Sequence, residues 1–386
     1  MQPCSRREFI KHGLCSGLSL GTGHLLTGCG ADATITPEAP PFAPSREPAR
    51  VAAVRGQNLE ELARKALEAC GGAGAIVAPG ETVFIKPNLV GAGMVRHPLF
   101  STGECTKPEI FLTVAEECLK ADAKEVIIGD AGQVDRFSWD EMLTLDGSVS
   151  VAEKVAWLNG RHEGTVRLAC LNTDTPHWDA IPAGPSGLGR IYVSSLVSRA
   201  DRIISIPVIK THRFAQMTLS LKNLMGVTSA EFYGQPGITY RTKLHNAPAG
   251  LEQAFLDIAT GLRPDLTIID GSIGCEGNGP HVMPGWWGTT VDLRDRLGDW
   301  VLLASRDPLA ADATAARMVG HEPSAIRHLL MSFNQGLGQL QEDLTQLDGA
   351  TLDELRIDWV PAEPVDGFND VILEGIAMLL ERSEAS

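Results

Sequence analysis

The chain has 386 residues, 44% of them hydrophobic and 21% charged, with a formal net charge of −15. That length and composition belong to a globular protein with a sizeable core, in one lobe or two. The acidity argues against general binding to nucleic acid or anionic membrane surfaces, and no run after residue 30 reaches the roughly 18 apolar residues of a membrane span.

Residues 1–28 carry Arg6, Arg7 and Lys11 against Glu8, a net +2, which leaves −17 for the rest. Ser5-Arg6-Arg7-Glu8-Phe9-Ile10-Lys11 resembles the twin-arginine export motif. After a weakly apolar, Gly-rich segment, Leu26-Thr27-Gly28-Cys29 resembles a bacterial lipobox. Together they imply export of a folded protein by the twin-arginine machinery, and attachment to a membrane through a lipid on Cys29. Gly30, rather than an aspartate, fits outer-membrane sorting in a Gram-negative cell. The expected location is the periplasmic side of the envelope. Residues 29–49 are rich in Ala, Pro and Thr and read as a flexible tether; 50–386 is the folded α/β domain.

In the body, 51–54 reads as a short strand. Leu59, Leu62, Ala66 and Leu67 have helical spacing, so 58–70 predicts a helix ended by Gly71-Gly72. Residues 82–85 form a buried strand running into Lys86-Pro87-Asn88. Pro108 opens a helix to about Ala121, and 125–128 is the next strand, leading to Asp130. Residues 133–160 read as mixed and helical, 166–171 as a strand, and 176–189 as a Pro/Gly-rich loop. The β-branched run 202–208 predicts a buried strand, followed at once by Lys210, Thr211, His212 and Arg213. A helix-like apolar segment then brings Lys222 and Asn223. Residues 228–247 read as a mobile loop or lid. There follow a helix over 249–262, a strand over 266–269, a Gly-rich loop over 271–280 and a strand over 300–304. Asp307 caps a helix from Pro308 to Met318. Residues 322–336 are helical and then loop, 356–360 is the last strand, and 369–382 a closing amphipathic helix. Alternating strands and helices with polar strand exits predict an α/β fold, a mostly parallel sheet with helices on both faces.

Ligands of open α/β sheets sit outside the carboxyl ends of the strands. Lys86, Lys210 and Lys222 are point charges suited to a phosphate or carboxylate. Asn88, Asn223, Asp130 and Asn278 would complete the binding site. Lys210 and His212 are two residues apart, so on a continued strand they point the same way. His212, with Glu276 or Asp270, is the candidate for proton transfer. The glycines of 271–280 would let backbone N–H groups approach an anion, without a dinucleotide or P-loop fingerprint. Plainer roles compete: Lys86 reaching solvent, Asn88 closing a turn, Glu276 on an exposed loop. Cys275 has no activating base near it in sequence. His97, Cys105, His212, His245, Glu276 and His281 are metal-ligand types without recognised spacing. Trp286-Trp287 reads as loop-capping core or as a pocket wall.

Six segments occur together and in order: VFIKPNLV at 83–90, TKPEIF at 106–111, KEVIIGDAG at 124–132, RIISIPVIKTHRFAQMTLSLKNLMGV at 202–227, PDLTIIDGSIGCEGNGP at 264–280 and LLASRDPLAADATAARMVG at 302–320. They resemble the bacterial and archaeal domain-of-unknown-function family numbered 362, over about residues 50–340. The resemblance implies an α/β domain and no settled reaction. Some relatives carry a ferredoxin-like module with clustered cysteines; the eight cysteines here are dispersed, with no C-x-x-C. The resulting expectation is an exported, lipid-anchored protein with a cationic crevice for a small anionic molecule. Redox chemistry on a cofactor loaded before export is the favoured reaction, and the cofactor is unnamed. A non-catalytic ligand-binding envelope lipoprotein and a metal-dependent hydrolase or isomerase are the alternatives.

Overall fold

The computed structural model describes residues 44–93, 99–134, 136–182, 184–234, 241–283, 287–363 and 365. The export motif with Arg6 and Arg7, Cys29, most of the tether, His97, Trp286 and the helix expected over 369–382 lie outside the described residues.

The strands are β1 (Ala49–Gly56), β2 (Thr82–Pro87), β3 (Glu125–Asp130), β4 (Thr165–Cys170), β5 (Trp178–Ile181), β6 (Ile191–Ser194), β7 (Arg202–Ile206), β8 (Val208–His212), β9 (Gln216–Thr218), β10 (Leu266–Glu276), β11 (Thr289–Asp292), β12 (Trp300–Ser305) and β13 (Thr345–Gly349). The longer helices are α1 (Leu59–Ala69), α2 (Pro108–Lys120), α3 (Val151–Asn159), α4 (Leu251–Leu262), α5 (Pro308–Met318) and α6 (Arg327–Asn334). One sheet runs β13-β1-β12-β10-β7-β2-β3-β4, and β5 and β6 form a separate hairpin. Strands β10, β7, β2, β3 and β4 are mutually parallel, and β12 runs against both its neighbours, β1 and β10. The fold is α/β with a mostly parallel sheet, as the sequence predicts.

Strand alternation sorts the core onto two faces. Phe84, Ile127 and Ile203 pack on one side with Phe255 of α4, Leu309 of α5 and Leu329 of α6. Val83, Ile85, Val126, Ile128, Ile204 and Ile206 pack on the other with Leu62 of α1, Phe111 of α2 and Val155 of α3. Helix starts follow local rules. Asn58 caps α1 by accepting from the Glu61 N–H at 2.9 Å. Asp307 caps α5 by accepting from the Ala310 N–H at 2.9 Å, with Pro308 in the first turn.

Several expectations are corrected. The strand expected over 266–269 continues to Glu276, so most of the Gly-rich loop is sheet: β10 pairs with β7 in its first part and with β8 and β11 beyond it. Among the described residues the last strand is β13, parallel to β1, and not 356–360. Those residues bond to the end of α5, Ile357 N–H to Met318 O and Trp359 N–H to Val319 O. Among the described residues of 133–160, only α3 and a turn over Trp139–Glu141 are helical, and 176–189 contains β5. The described flanks of the expected lid are packed: short helices span Ala230–Tyr233 and Thr242–His245, and Tyr233 and Arg241 are buried. The tether is already docked at its end, where Gln339 donates to the carbonyls of Ser45 and Glu47. The described cysteines, Cys70, Cys105, Cys118, Cys170 and Cys275, are free thiols.

Candidate functional site

The parallel strands reverse their order at β2. Strands β3 and β4 follow on one side of it, and β7 and β10 return on the other. This is a topological switch point, and the crevice at its carboxyl end is where an open α/β sheet binds ligands. A cavity of about 350 Å³ opens there, lined by Lys86, Asn88, Asp130, Lys210, His212, Lys222 and Asn223 among others. Pro207 ends β7, and β8 carries Lys210 and His212 onward along β10. Both side chains reach the cavity, as their two-residue spacing requires.

Lys86 is fully buried, and its Nζ donates to Asp130 Oδ2 at 2.6 Å, Pro87 O at 2.7 Å and Asn223 Oδ1 at 3.3 Å. Those partners use all three N–H groups of an ammonium. Burial lowers its pKa, and the Asp130 charge opposes the shift. Asp130 also accepts from the Leu89 and Gly132 N–H groups. This pair therefore builds the wall, and its capacity for a ligand is largely spent.

Lys210 is different. It is fully buried and donates to neutral acceptors, Asn88 Oδ1 at 2.9 Å and Glu104 O at 2.7 Å. One N–H is left over. Burial pulls its pKa down to about 8. Arg241 is likewise buried, with bonds to Thr228 O, Thr228 Oγ1 and Gly132 O. Burial brings it down to about 10. Among the described residues neither Lys210, Lys222 nor Arg241 is paired with a carboxylate. Asp130 and Glu104 line the same cavity, but they are bonded to Lys86 and His281 and leave these three side chains without a direct ion pair.

Lys222 lies on a short helical turn, Ser220–Asn223, whose first N–H groups are held by Asp312 of α5. The carboxyl accepts from Ser220 N at 2.8 Å and Leu221 N at 3.3 Å. Lys222 Nζ lies 2.9 Å from His212 Nε2. On the far side of the ring, His212 Nδ1 accepts from the backbone N–H groups of Phe214 at 3.1 Å and Ala215 at 3.4 Å. Backbone donors cannot reverse, so Nδ1 is unprotonated and the neutral ring carries its proton on Nε2. An ammonium has no lone pair to receive that proton. The contact thus requires Lys222 as a neutral amine. The electrostatics agree: burial, then the charges of Lys210 and Arg241, lower Lys222 to about 7. Burial, with Lys222 and Lys210, holds His212 well below the usual histidine range.

A family described as a domain of unknown function, DUF362, matches residues 83–317. The chain belongs to this family. The DUF362 match takes in every cavity residue named above. A thylakoid-associated protein of Synechocystis sp. is 26% identical over 283 residues, 73% of this chain and 76% of that one. Two solved structures show weaker likeness. The lactate racemase apoprotein from Thermoanaerobacterium thermosaccharolyticum has 14% identity and a TM-score of 0.32, over 58% of this chain and 50% of that chain. A Thermotoga maritima protein has 12% identity and a TM-score of 0.36, over 69% and 60%. This chain therefore spans half to three-fifths of those two structures.

Three expected site residues of this DUF362 chain lie outside the cavity. Asp270 is fully buried beside Lys107, 3.4 Å away, and accepts from Lys107 N, Ser272 N and Ser272 Oγ. It is an internal tie, because β10 continues past it. Glu276 pairs with Arg296 at 2.6 Å and accepts from the Val360 N–H at 2.9 Å. Asn278 accepts from the Glu363 N–H. None of the three reaches His212 for proton transfer or ligand binding. The Cys275 thiol is raised to about 12 by burial, which disfavours a thiolate nucleophile. Among the described residues, no group of three His, Cys, Asp or Glu side chains is placed to hold a metal ion. Trp287 does line the cavity.

The cavity also holds residues that the sequence does not single out as ligand contacts. These are Arg241 and Glu104, together with His245 and His281, which the sequence marks only as metal-ligand types. Glu104 reaches His281 Nδ1 at 3.3 Å and accepts from the Val282 N–H at 2.8 Å. Burial would raise its pKa, but the His281 contact outweighs this and the carboxyl is held low. Burial lowers His245 to about 3. The Thr218 hydroxyl lines the same cavity, buried and with no partner among the described residues.

Proposed function

We propose that this protein binds a small anionic metabolite in the cavity and carries out proton transfer on it. The observation that carries this reading is the set of three buried basic side chains, Lys210, Lys222 and Arg241, around one cavity in a chain of net charge −15. A carboxylate or phosphate would supply a direct ion-pair partner. Lys210 and Arg241 would hold it, and the His212–Lys222 pair would move the proton. A purely ligand-holding lipoprotein has less support, since a lysine that only binds an anion gains nothing from being neutral.

We also propose that the protein is exported folded and tethered to the envelope through Cys29; the N-terminal motifs support this. Described residues contain no helix long and apolar enough to cross a membrane. A redox cofactor loaded before export is supported by the twin-arginine motif alone, whereas proton transfer has the cavity as well.

The binding reading is tested by melting the protein in phosphate, pyruvate and succinate at constant ionic strength, against chloride. A stabilisation lost in Lys210→Met supports it. Equal melting temperatures in all four anions would remove it.

A further inference from the structure

The proposed function leaves one feature of the cavity unused. An amine whose neighbours require it to be neutral is a nucleophile as well as a base. Lys222 is also the most accessible of the four lysine and arginine side chains of the cavity, at 8% exposure against 0% for Lys86 and Lys210 and 4% for Arg241. Its Nζ faces His212 Nε2 and lines the open cavity. Lys210 and Arg241 are both near enough to act on it electrostatically.

From this arrangement we infer that Lys222 forms an imine with the carbonyl of a small oxo acid, whose carboxylate is held by Lys210 and Arg241. The inference rests on the anion-binding reading above and adds the substrate's second functional group. In the step, the lone pair of Nζ adds to the carbonyl carbon and the C=O π pair moves to oxygen. The resulting carbinolamine loses that oxygen as water. Amine plus carbonyl gives imine plus one water, and no oxidant or reductant is needed. His212 Nε2–H stands beside the forming bond, placed to donate a hydrogen bond to the carbinolamine oxygen, while the two N–H protons of Nζ leave with that oxygen in the water. Its ring is held by the Phe214 and Ala215 N–H groups, so it keeps this orientation when Lys222 turns to substrate. The unpartnered Thr218 hydroxyl supplies a further polar group at the same cavity.

The geometry has a direct chemical consequence. At pH 7 an ordinary lysine, with a pKa of about 10.4, is free amine in only about one molecule in a few thousand. Lys222, brought to about 7 by burial and by Lys210 and Arg241, is free amine in a large fraction. Imine formation on this chain should therefore concentrate at one lysine at neutral pH.

The test uses the full-length protein with pyruvate as the probe. Sodium cyanoborohydride traps the imine as a secondary amine, which is then mapped by proteolysis and mass spectrometry. The expected result is label on Lys222 at pH 7, forming more than about 10-fold faster than on the exposed Lys65. Lys222→Met should lose that label, and Lys65→Met should keep it. Succinate, an anion without a carbonyl, should stabilise the protein yet leave no adduct. Should Lys222→Met fail to fold, the Lys222-to-Lys65 labelling ratio in the unaltered protein decides. If pyruvate raises the melting temperature but labels Lys222 no faster than Lys65, the imine is overturned and anion binding stands. If pyruvate neither stabilises nor labels, both readings fall.

Discussion

Asn223 grips Lys86 from both ends: its Nδ2 donates to the Lys86 carbonyl at 2.9 Å, and its Oδ1 accepts from Lys86 Nζ at 3.3 Å. The carbonyl can only accept, so the amide orientation is fixed. The same Nδ2 reaches Ser205 Oγ of β7 at 3.1 Å, and Oδ1 takes a bond from Asn88 at 3.1 Å. One side chain thus ties the exits of β2 and β7 across the switch point. Asn223→Leu would orphan the Lys86 carbonyl and the Asn88 amide, each costing about 1–3 kcal/mol. We expect a loss of roughly 2–5 kcal/mol in urea unfolding. A loss below 1 kcal/mol would show that the tie is not needed.

The Lys86–Asp130 pair invites a double-mutant cycle. Asp130→Leu leaves a buried ammonium without its counter-charge and should cost about 3–5 kcal/mol. The double change Lys86→Met with Asp130→Leu removes both charges and should recover part of that loss. Gly226 lies against the pair: a Cβ there would come within 2.5 Å of Asp130 Oδ1 and 2.8 Å of Lys86 Nζ. Gly226→Ala is therefore expected to destabilise as well. Calorimetry on the four proteins of the cycle measures the coupling, and additive losses would mean that the pair is not a unit.

Lys222 gives a pH dependence of definite sign. In the unfolded chain its pKa is about 10.4, and in the folded protein about 7. Between those values the unfolded state binds more protons, so stability rises with pH. Below 7 both states are protonated and the full penalty remains. Lys222→Met removes the charge altogether. Its advantage over the unaltered protein should be largest below pH 7 and shrink towards pH 10, by at most on the order of 4 kcal/mol. Lys210 shifts in the same direction, to about 8. Arg241, Glu252, His212, His245 and His328 also act on or around Lys222, so the variant comparison is needed to isolate it. Denaturant melts at a series of pH values measure the difference. A gap that does not change with pH would mean that Lys222 stays charged.

Export makes a separate prediction. Changing Arg6 and Arg7 together to lysine should leave the protein in the cytoplasm. Cys29→Ala should move it from the membrane pellet to a soluble fraction. Cell fractionation reads both, and unchanged export in the double-lysine form would show that the motif is not a signal.

The sequence located the cavity better than it located the cavity's edges. Lys210 and His212 were legible because strand alternation and a strand exit are both local patterns. Asp270 and Glu276 read as loop residues in the sequence because the glycines after 269 resemble a turn, whereas both lie within β10. In the fold the glycines serve close approach: a Cβ on Gly271 would meet Val301 O at 2.6 Å, and one on Gly274 would meet Ile209 O at 2.4 Å. The chain turns only at Gly277, whose φ is 77°. Strand β13 reads TQLDG, without hydrophobic alternation, and its place is set by pairing with β1. Arg241 and Glu104 carry no periodic signal, and only tertiary contacts bring them to the cavity.

The His212 ring has one nitrogen fixed by the backbone and the other aimed at Lys222. An anion seated directly on Lys222 would favour its ammonium form, which cannot accept from Nε2–H. The ammonium would then turn its protons to the guest, and the fixed ring would offer its Nε2–H to the same guest. Each anion taken up in this way brings a proton with it, so the acidity of the surrounding medium acts as a second ligand of the cavity. An anion held at Lys210 and Arg241 alone would draw in only the fraction of a proton that Lys210, at about 8, lacks.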